Sequence, residues 1–154
     1  MDANYDPWST HLPALATAVH LYGGNVLEIG CGWYSTPLLY AMSKNVLTIE
    51  TDPVWAKKFE SITKDHLLLV DNILDTIRDM VGQWNVIFVD CEGNDLRRRC
   101  VELFLDSKCC IVAHDTQEAH YQTLLRKVKY QRHFDFIMPR TSHLSNVIDV
   151  CMDT

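Results

Sequence analysis

The strongest constraint on this chain is a rhythm. Short runs rich in β-branched and other apolar residues recur at roughly 20-residue spacing, at positions 26–30, 46–50, 66–70, 85–90, 109–114 and 133–138. Several lack polar alternation, as strands covered on both faces do. The gaps between them carry helical stripes: Val54, Trp55, Phe59 and Ile62, then Ile73, Leu74, Ile77, Met80 and Val81. Leu96, Cys100, Val101 and Phe104 form a third, and Tyr121, Leu124, Leu125 and Val128 a fourth. Ahead of the first run, Thr10-His11-Leu12-Pro13 opens a helix with Leu12, Leu15, Val19 and Tyr22 on its apolar side. Thr36-Pro37 reads as an N-cap followed by proline at the first helical position.

Strand alternating with helix makes βαβ units, hence a parallel sheet with helices on both faces. The end of the chain departs from this. Residues 139–145 are too few for a parallel crossover, so the run at 146–151 is expected to return antiparallel. The expected fold is α/β: a doubly wound, mostly parallel seven-stranded sheet whose last strand is antiparallel. The 154 residues suffice for one domain. Residues 1–22 form its helical cap, 26–128 its cofactor-binding βαβ units, and 133–151 a terminal hairpin.

A net charge of −6 disfavours a nucleic-acid partner, whose phosphates need a basic surface. Arg97-Arg98-Arg99 is a short basic patch, and it reads as a solvated helix face. No apolar run approaches the roughly 20 residues of a membrane-spanning helix, and the N-terminus lacks signal-peptide character. A cytoplasmic setting without membrane contact is the expectation. Cys31, Cys91, Cys100, Cys109, Cys110 and Cys151 show no CxxC pair or zinc spacing, and they read as free thiols. The adjacent Cys109 and Cys110 should point to opposite faces of a strand.

The chemistry concentrates after the first run, in Val26-Leu27-Glu28-Ile29-Gly30-Cys31-Gly32-Trp33-Tyr34-Ser35-Thr36. Gly30 and Gly32 allow a sharp turn and a close approach of backbone to ligand. Glu50, ending the second run, is placed to accept hydrogen bonds from two ribose hydroxyls. Ser35 stands where a pyrophosphate-binding GxGxxG carries its third glycine. That loss counts against a nicotinamide dinucleotide, as does the absence of a Tyr-x-x-x-Lys pair.

On these residues the chain resembles the class I S-adenosylmethionine-dependent methyltransferases over nearly its whole length, and within them the small-molecule O-methyltransferases. Residues 26–32 resemble their first motif, with Glu28 its acidic member and Glu50 the ribose-binding acid. The resemblance implies S-adenosylmethionine as cofactor, held by Glu28, Gly30, Cys31, Gly32, Tyr34, Glu50, Thr51, Asp71, Asn72 and Asp90. Asp71-Asn72 matches the adenine position, though a helix cap explains it equally. Asp90 matches the residue beside the methionine end.

Asp90-Cys91-Glu92-Gly93 is not the Asn/Asp-Pro-Pro-Tyr/Phe of amino-methylating nucleic-acid enzymes, nor the Pro-Cys of cytosine-C5 enzymes. Residues 112–116, with Asp90, resemble the small-molecule O-methyltransferases, and that resemblance implies Asp90, His114 and Asp115 as the catalytic residues for methyl transfer to a small-molecule hydroxyl, with His114 the candidate base. Asp90 and Asp115 match the magnesium-holding acids of the metal-dependent branch. Thr116 stands where an asparagine ligand is usual, so no metal is expected there. The segment carrying Tyr5, Trp8 and His11 should grip substrate, with the loop at 140–145, including Arg140 and His143, lining the far side. Homo-oligomers are compatible with all of this. The rival readings are a lyase or hydrolase using the same cofactor, a non-catalytic subunit of the same fold and, last, a nicotinamide oxidoreductase.

Overall fold

Asn25–Ile29 (β1) is the axis on which the sheet is built, with parallel partners on both sides, Asn45–Glu50 (β2) and Val86–Val89 (β4). The structure, a computed structural model, describes residues 6–136 and 138–151. Leu67–Leu69 (β3) extends the sheet beyond β2, and Cys110–Ala113 (β5) extends it beyond β4, again in parallel. Thr141–Ser145 (β7) joins β5 antiparallel, and Tyr130–Phe134 (β6) pairs with β7 at the edge. The order is β3-β2-β1-β4-β5-β7-β6, in which β7 alone runs against the rest.

The central strands read as continuous apolar runs because both their faces are covered. Leu27, Ile29, Ile87, Val89 and Ile111 point into one core, closed by Ile73–Arg78 (α5), Asn94–Phe104 (α6) and Ala119–Leu125 (α7). Val26, Val86, Phe88 and Val112 point into the other, under Leu12–Tyr22 (α1) and Ser35–Met42 (α2). Cys109 falls in the first core and Cys110 in the second, as strand alternation requires. The cysteines are free thiols, with Cys151 exposed.

Four expectations need correction. The last two strands lie earlier than hydrophobicity suggests, at 130–134 and 141–145 instead of 133–138 and 146–151. β7 is buried throughout although four of its five residues are polar, because the fold supplies partners to Ser142, His143 Nε2 and Ser145, while the Thr141 hydroxyl has none among the described residues. The Ser142 hydroxyl bonds Thr116 and the His133 ring, both at 2.7 Å, and His143 Nε2 bonds the Ala14 carbonyl at 2.8 Å. Ser145 Oγ then accepts from the amides of Val147 and Ile148 and ends the strand before the apolar run begins.

Thr36 is not a cap. It lies inside α2, donating to Glu28 and accepting from the Gly32 amide. Asp52 caps the helix Pro53–Lys57 (α3), which a short helix at Glu60–Thr63 (α4) follows, and Val54 of the expected stripe is exposed. Finally, Arg97 does not belong to a solvated face.

Candidate functional site at the carboxyl ends of the strands

A cavity of about 740 Å³ opens where β1, β2 and β4 end. Its floor is the turn between β1 and α2. Gly30 has φ +90°, and a Cβ there would stand 2.7 Å from the Asp90 carbonyl and the Cys91 amide. Only glycine lets the ends of β1 and β4 come this close. The next residue ties the turn to β2: the Cys31 amide donates to Glu50 Oε2 at 3.2 Å, and the Cys31 carbonyl accepts from Trp55 Nε1 at 2.6 Å. Glu50 Oε1 accepts from the Thr51 amide at 2.6 Å and the Asp52 amide at 3.0 Å. This nearly buried carboxylate thus gathers three backbone N–H groups and still lines the cavity.

Below the floor lies Glu28, fully buried, accepting from the hydroxyls of Thr36 and Thr48. Burial pushes its carboxyl up to about 7, against the pull of the hydroxyl donors. Glu28 makes no part of the cavity wall and braces β1 against β2 and α2 from beneath.

The second half of the site is a polar cluster where β4 and β5 end. Arg97, on α6, donates to the Cys91 carbonyl and to Asp115, and lies 3.0 Å from Asp90 Oδ1. Its guanidinium stands between the two acids that the metal-dependent branch uses for magnesium. Asp115 holds the left-handed conformation at φ +58°, tolerable for aspartate. His114 presents Nδ1 to Asp90 Oδ2 at 3.3 Å and Nε2 to the Thr10 hydroxyl at 2.9 Å. In front of it stands His11, edge-on with ring centroids 5.1 Å apart, and 4.9 Å from the Phe88 ring. Burial, then the neighbouring His114, lowers His11 to about 4.

Of the residues expected from sequence, Gly30, Cys31, Gly32, Tyr34, Glu50 and Asp90 line the cavity. His114 and Asp115 lie behind it, bonded to the Asp90–Arg97 pair. Thr51 is turned to Glu50 through its amide. Asp71 is exposed, while Asn72 caps α5, accepting from the Asp75 amide at 3.3 Å; neither lines the cavity. The far-side loop does not line it either. Arg140 is tied to Thr116 through Nε and Nη2, and His143 is buried within β7, with burial lowering it to about 4. From the N-terminal segment, Asp6, Trp8 and His11 reach the cavity. Tyr5 lies outside the described residues.

Sequence reasoning missed Arg97 as a site residue and placed His11 only loosely. The same signal marks both. Arg97, Val101 and Phe104 stand at i, i+4 and i+7, and so do His11, Leu15 and Ala18. A polar residue in line with a buried stripe points inward. Trp33 and Trp55 were missed as well; with Phe59 they form an aromatic corner at the cavity edge, where Lys58 Nζ stands 3.9 Å over the Trp55 ring.

No protein-family model and no curated protein matches this chain. Solved structures do. An RNA methyltransferase from Salinibacter ruber in complex with S-adenosyl-L-homocysteine matches at TM-score 0.53 and 16% identity, covering 92% of this chain and 97% of that one. Spermidine synthase from Thermotoga maritima matches at TM-score 0.57 and 15% identity, covering 97% of this chain. A mutant of MtNAS in complex with S-adenosylmethionine matches at 0.54 and 17%, covering 88%. The match spans 62% of the spermidine synthase and 60% of MtNAS. What this chain shares with them is the Rossmann-like fold of the class I methyltransferases, a seven-stranded sheet with one antiparallel strand.

Proposed function

We propose that this chain binds S-adenosylmethionine and transfers its methyl group to a small neutral or cationic acceptor, through a hydroxyl. The observation that carries this reading is the cavity built by the Gly30-Cys31-Gly32 turn against Glu50, at the strand ends where open α/β sheets take their ligands. The residues present fit a nucleoside, since Glu50 ends the neighbouring strand with its carboxylate on the cavity beside the turn at Gly30 and Gly32. Bound there, the sulfonium supplies a methyl group that is already activated.

The residues divide the remaining work. Glu50 takes the ribose hydroxyls. Asp52 and Trp55, which line the cavity beyond Glu50, take the adenine in place of Asp71 and Asn72. Among the described lining residues, Asp6, Glu50, Asp52, Asp90 and Glu92 stand against the one cation Arg97, and that excess suits a ligand carrying sulfonium and ammonium groups. The same field disfavours an anionic acceptor. Trp8 and Tyr34 line the cavity with exposed rings, placed to close over a bound ligand and keep bulk water from the reacting centre.

At the polar end, Asp90 lines the cavity with His114 3.3 Å behind it, and when no ion is bound there this pair receives the proton that the acceptor gives up. Asp115 fixes Arg97, which in turn fixes Asp90. The neighbours in complex with S-adenosylmethionine and S-adenosyl-L-homocysteine support the cofactor reading. Product analysis tests the reaction. Incubation with S-adenosylmethionine and a panel of neutral and amine-bearing alcohols should yield S-adenosylhomocysteine and a methyl ether. Methylthioadenosine or homoserine lactone instead would make the protein a lyase or hydrolase.

A further inference from the structure

We infer that His11, Asp90 and His114 form a site for one divalent transition-metal ion of the zinc and cobalt class, open towards the cavity. The inference goes beyond the cofactor reading and does not depend on it. One ligand atom from each residue lies within 4.8 Å of the other two. An ion with bonds of about 2.1 Å sets tetrahedral ligands roughly 3.4 Å apart, so the widest separation closes by at most about 1.4 Å on loading, while His114 Nδ1 and Asp90 Oδ2 already stand 3.3 Å apart. The three residues come from separate parts of the chain, the turn before α1 and the ends of β4 and β5, and the fold alone brings them together.

An independent observation points to the ion. The His11 ring is 3% exposed, and neither of its nitrogens has a hydrogen-bond partner among the described residues. A buried ring without partners is unusual, because both nitrogens lose water and gain nothing. A cation between His11, Asp90 and His114 removes that deficit.

The surroundings fit a ligand role. When His114 Nε2–H donates to the Thr10 hydroxyl, 2.9 Å away, Nδ1 is left bare on the side of Asp90. A hydrogen bond from the far nitrogen is how ligating imidazoles are oriented. Asp90 engages Arg97 through Oδ1 and keeps Oδ2 facing His114. Asp90 and Asp115 against Arg97 leave the cluster one net negative charge. Two imidazoles and one carboxylate suit zinc, cobalt or nickel, whereas magnesium and calcium take oxygen donors. This is not the magnesium position considered from sequence, where Arg97 stands. Since His11 and Asp90 line the cavity, the remaining coordination position faces it, as in sites that bind and acidify a hydroxyl.

The test is Co(II) titration of the full chain after chelator treatment and dialysis, with no adenosyl ligand present. Saturation at one ion per chain, with visible d–d bands of four- or five-coordinate cobalt and no thiolate charge-transfer band, is expected. His11→Gln should weaken binding at least tenfold to a hundredfold, while His20→Gln, on the exposed side of α1, leaves it unchanged. X-ray absorption of the zinc-loaded wild type should give imidazole nitrogen and carboxylate oxygen neighbours, and it needs no variant to fold. No stoichiometric binding, equal affinity in His11→Gln, or sulfur ligation by Cys31 or Cys91 would each overturn the proposal.

Discussion

Glu28 shows what a single residue contributes to a site it does not touch. Its carboxyl is wholly buried between Thr36 and Thr48, and burial raises it from 4.5 to about 7. A carboxyl raised on folding contributes stability that is complete below 4.5 and is lost as pH climbs through about 7, a decline on the order of 3 kcal/mol. His11 and His143 run the other way. Burial lowers both from 6.5 to about 4, so their contribution is complete above 6.5 and is lost as pH falls through about 4. The opposing slopes overlap in the wild type and flatten its stability curve. Glu28→Gln keeps the shape and removes one slope. Thermal melts across this range should show its midpoint climbing more steeply with pH than the wild type's, and parallel curves would mean that Glu28 titrates normally.

At the level of elements, α6 is joined to the ends of β4 and β5 by Arg97, whose side chain is 16% exposed. Arg97→Met keeps the stem but leaves Asp90 and Asp115 facing one another without a cation. The expected cost is about 2–4 kcal/mol, read as a drop in the urea midpoint. Arg97→Lys should recover only part of it, since one ammonium cannot reproduce the fork between Asp90, Asp115 and the Cys91 carbonyl. A midpoint within experimental error of the wild type would show that the helix is held by its apolar stripe alone.

Elements were legible from sequence where burial and hydrophobicity coincide. β1, β2, β4, β5 and the Cys100, Val101 and Phe104 face of α6 follow from apolar spacing, whereas β3 is apolar in sequence with Leu68 and Leu69 exposed at the sheet edge. β7 was misplaced because burial there rests on hydrogen bonds between polar side chains, which no hydropathy pattern records. In the site, the glycine turn and Glu50 were readable because backbone geometry demands them locally. The pairing of His11 with His114 was not, since 103 residues separate them and only the packing of α1 on the sheet sets their distance.

Across the whole molecule, the sheet order brings the ends of β1, β2 and β4 around one cavity and sets the polar cluster at its edge. The central claim is that this cavity holds an adenosyl-sulfonium ligand through Glu50. Calorimetric titration tests it, with S-adenosylmethionine, S-adenosylhomocysteine and NAD offered in parallel to the wild type and Glu50→Ala. The wild type should bind both adenosyl ligands at one site and ignore NAD. Glu50→Ala should lose about 1.5–3 kcal/mol of that affinity through the charge-assisted ribose contacts, with some loss of stability from the Cys31, Thr51 and Asp52 amides it leaves unpaired. Binding of NAD alone, or an affinity for the adenosyl ligands that Glu50→Ala leaves unchanged, would contradict the account.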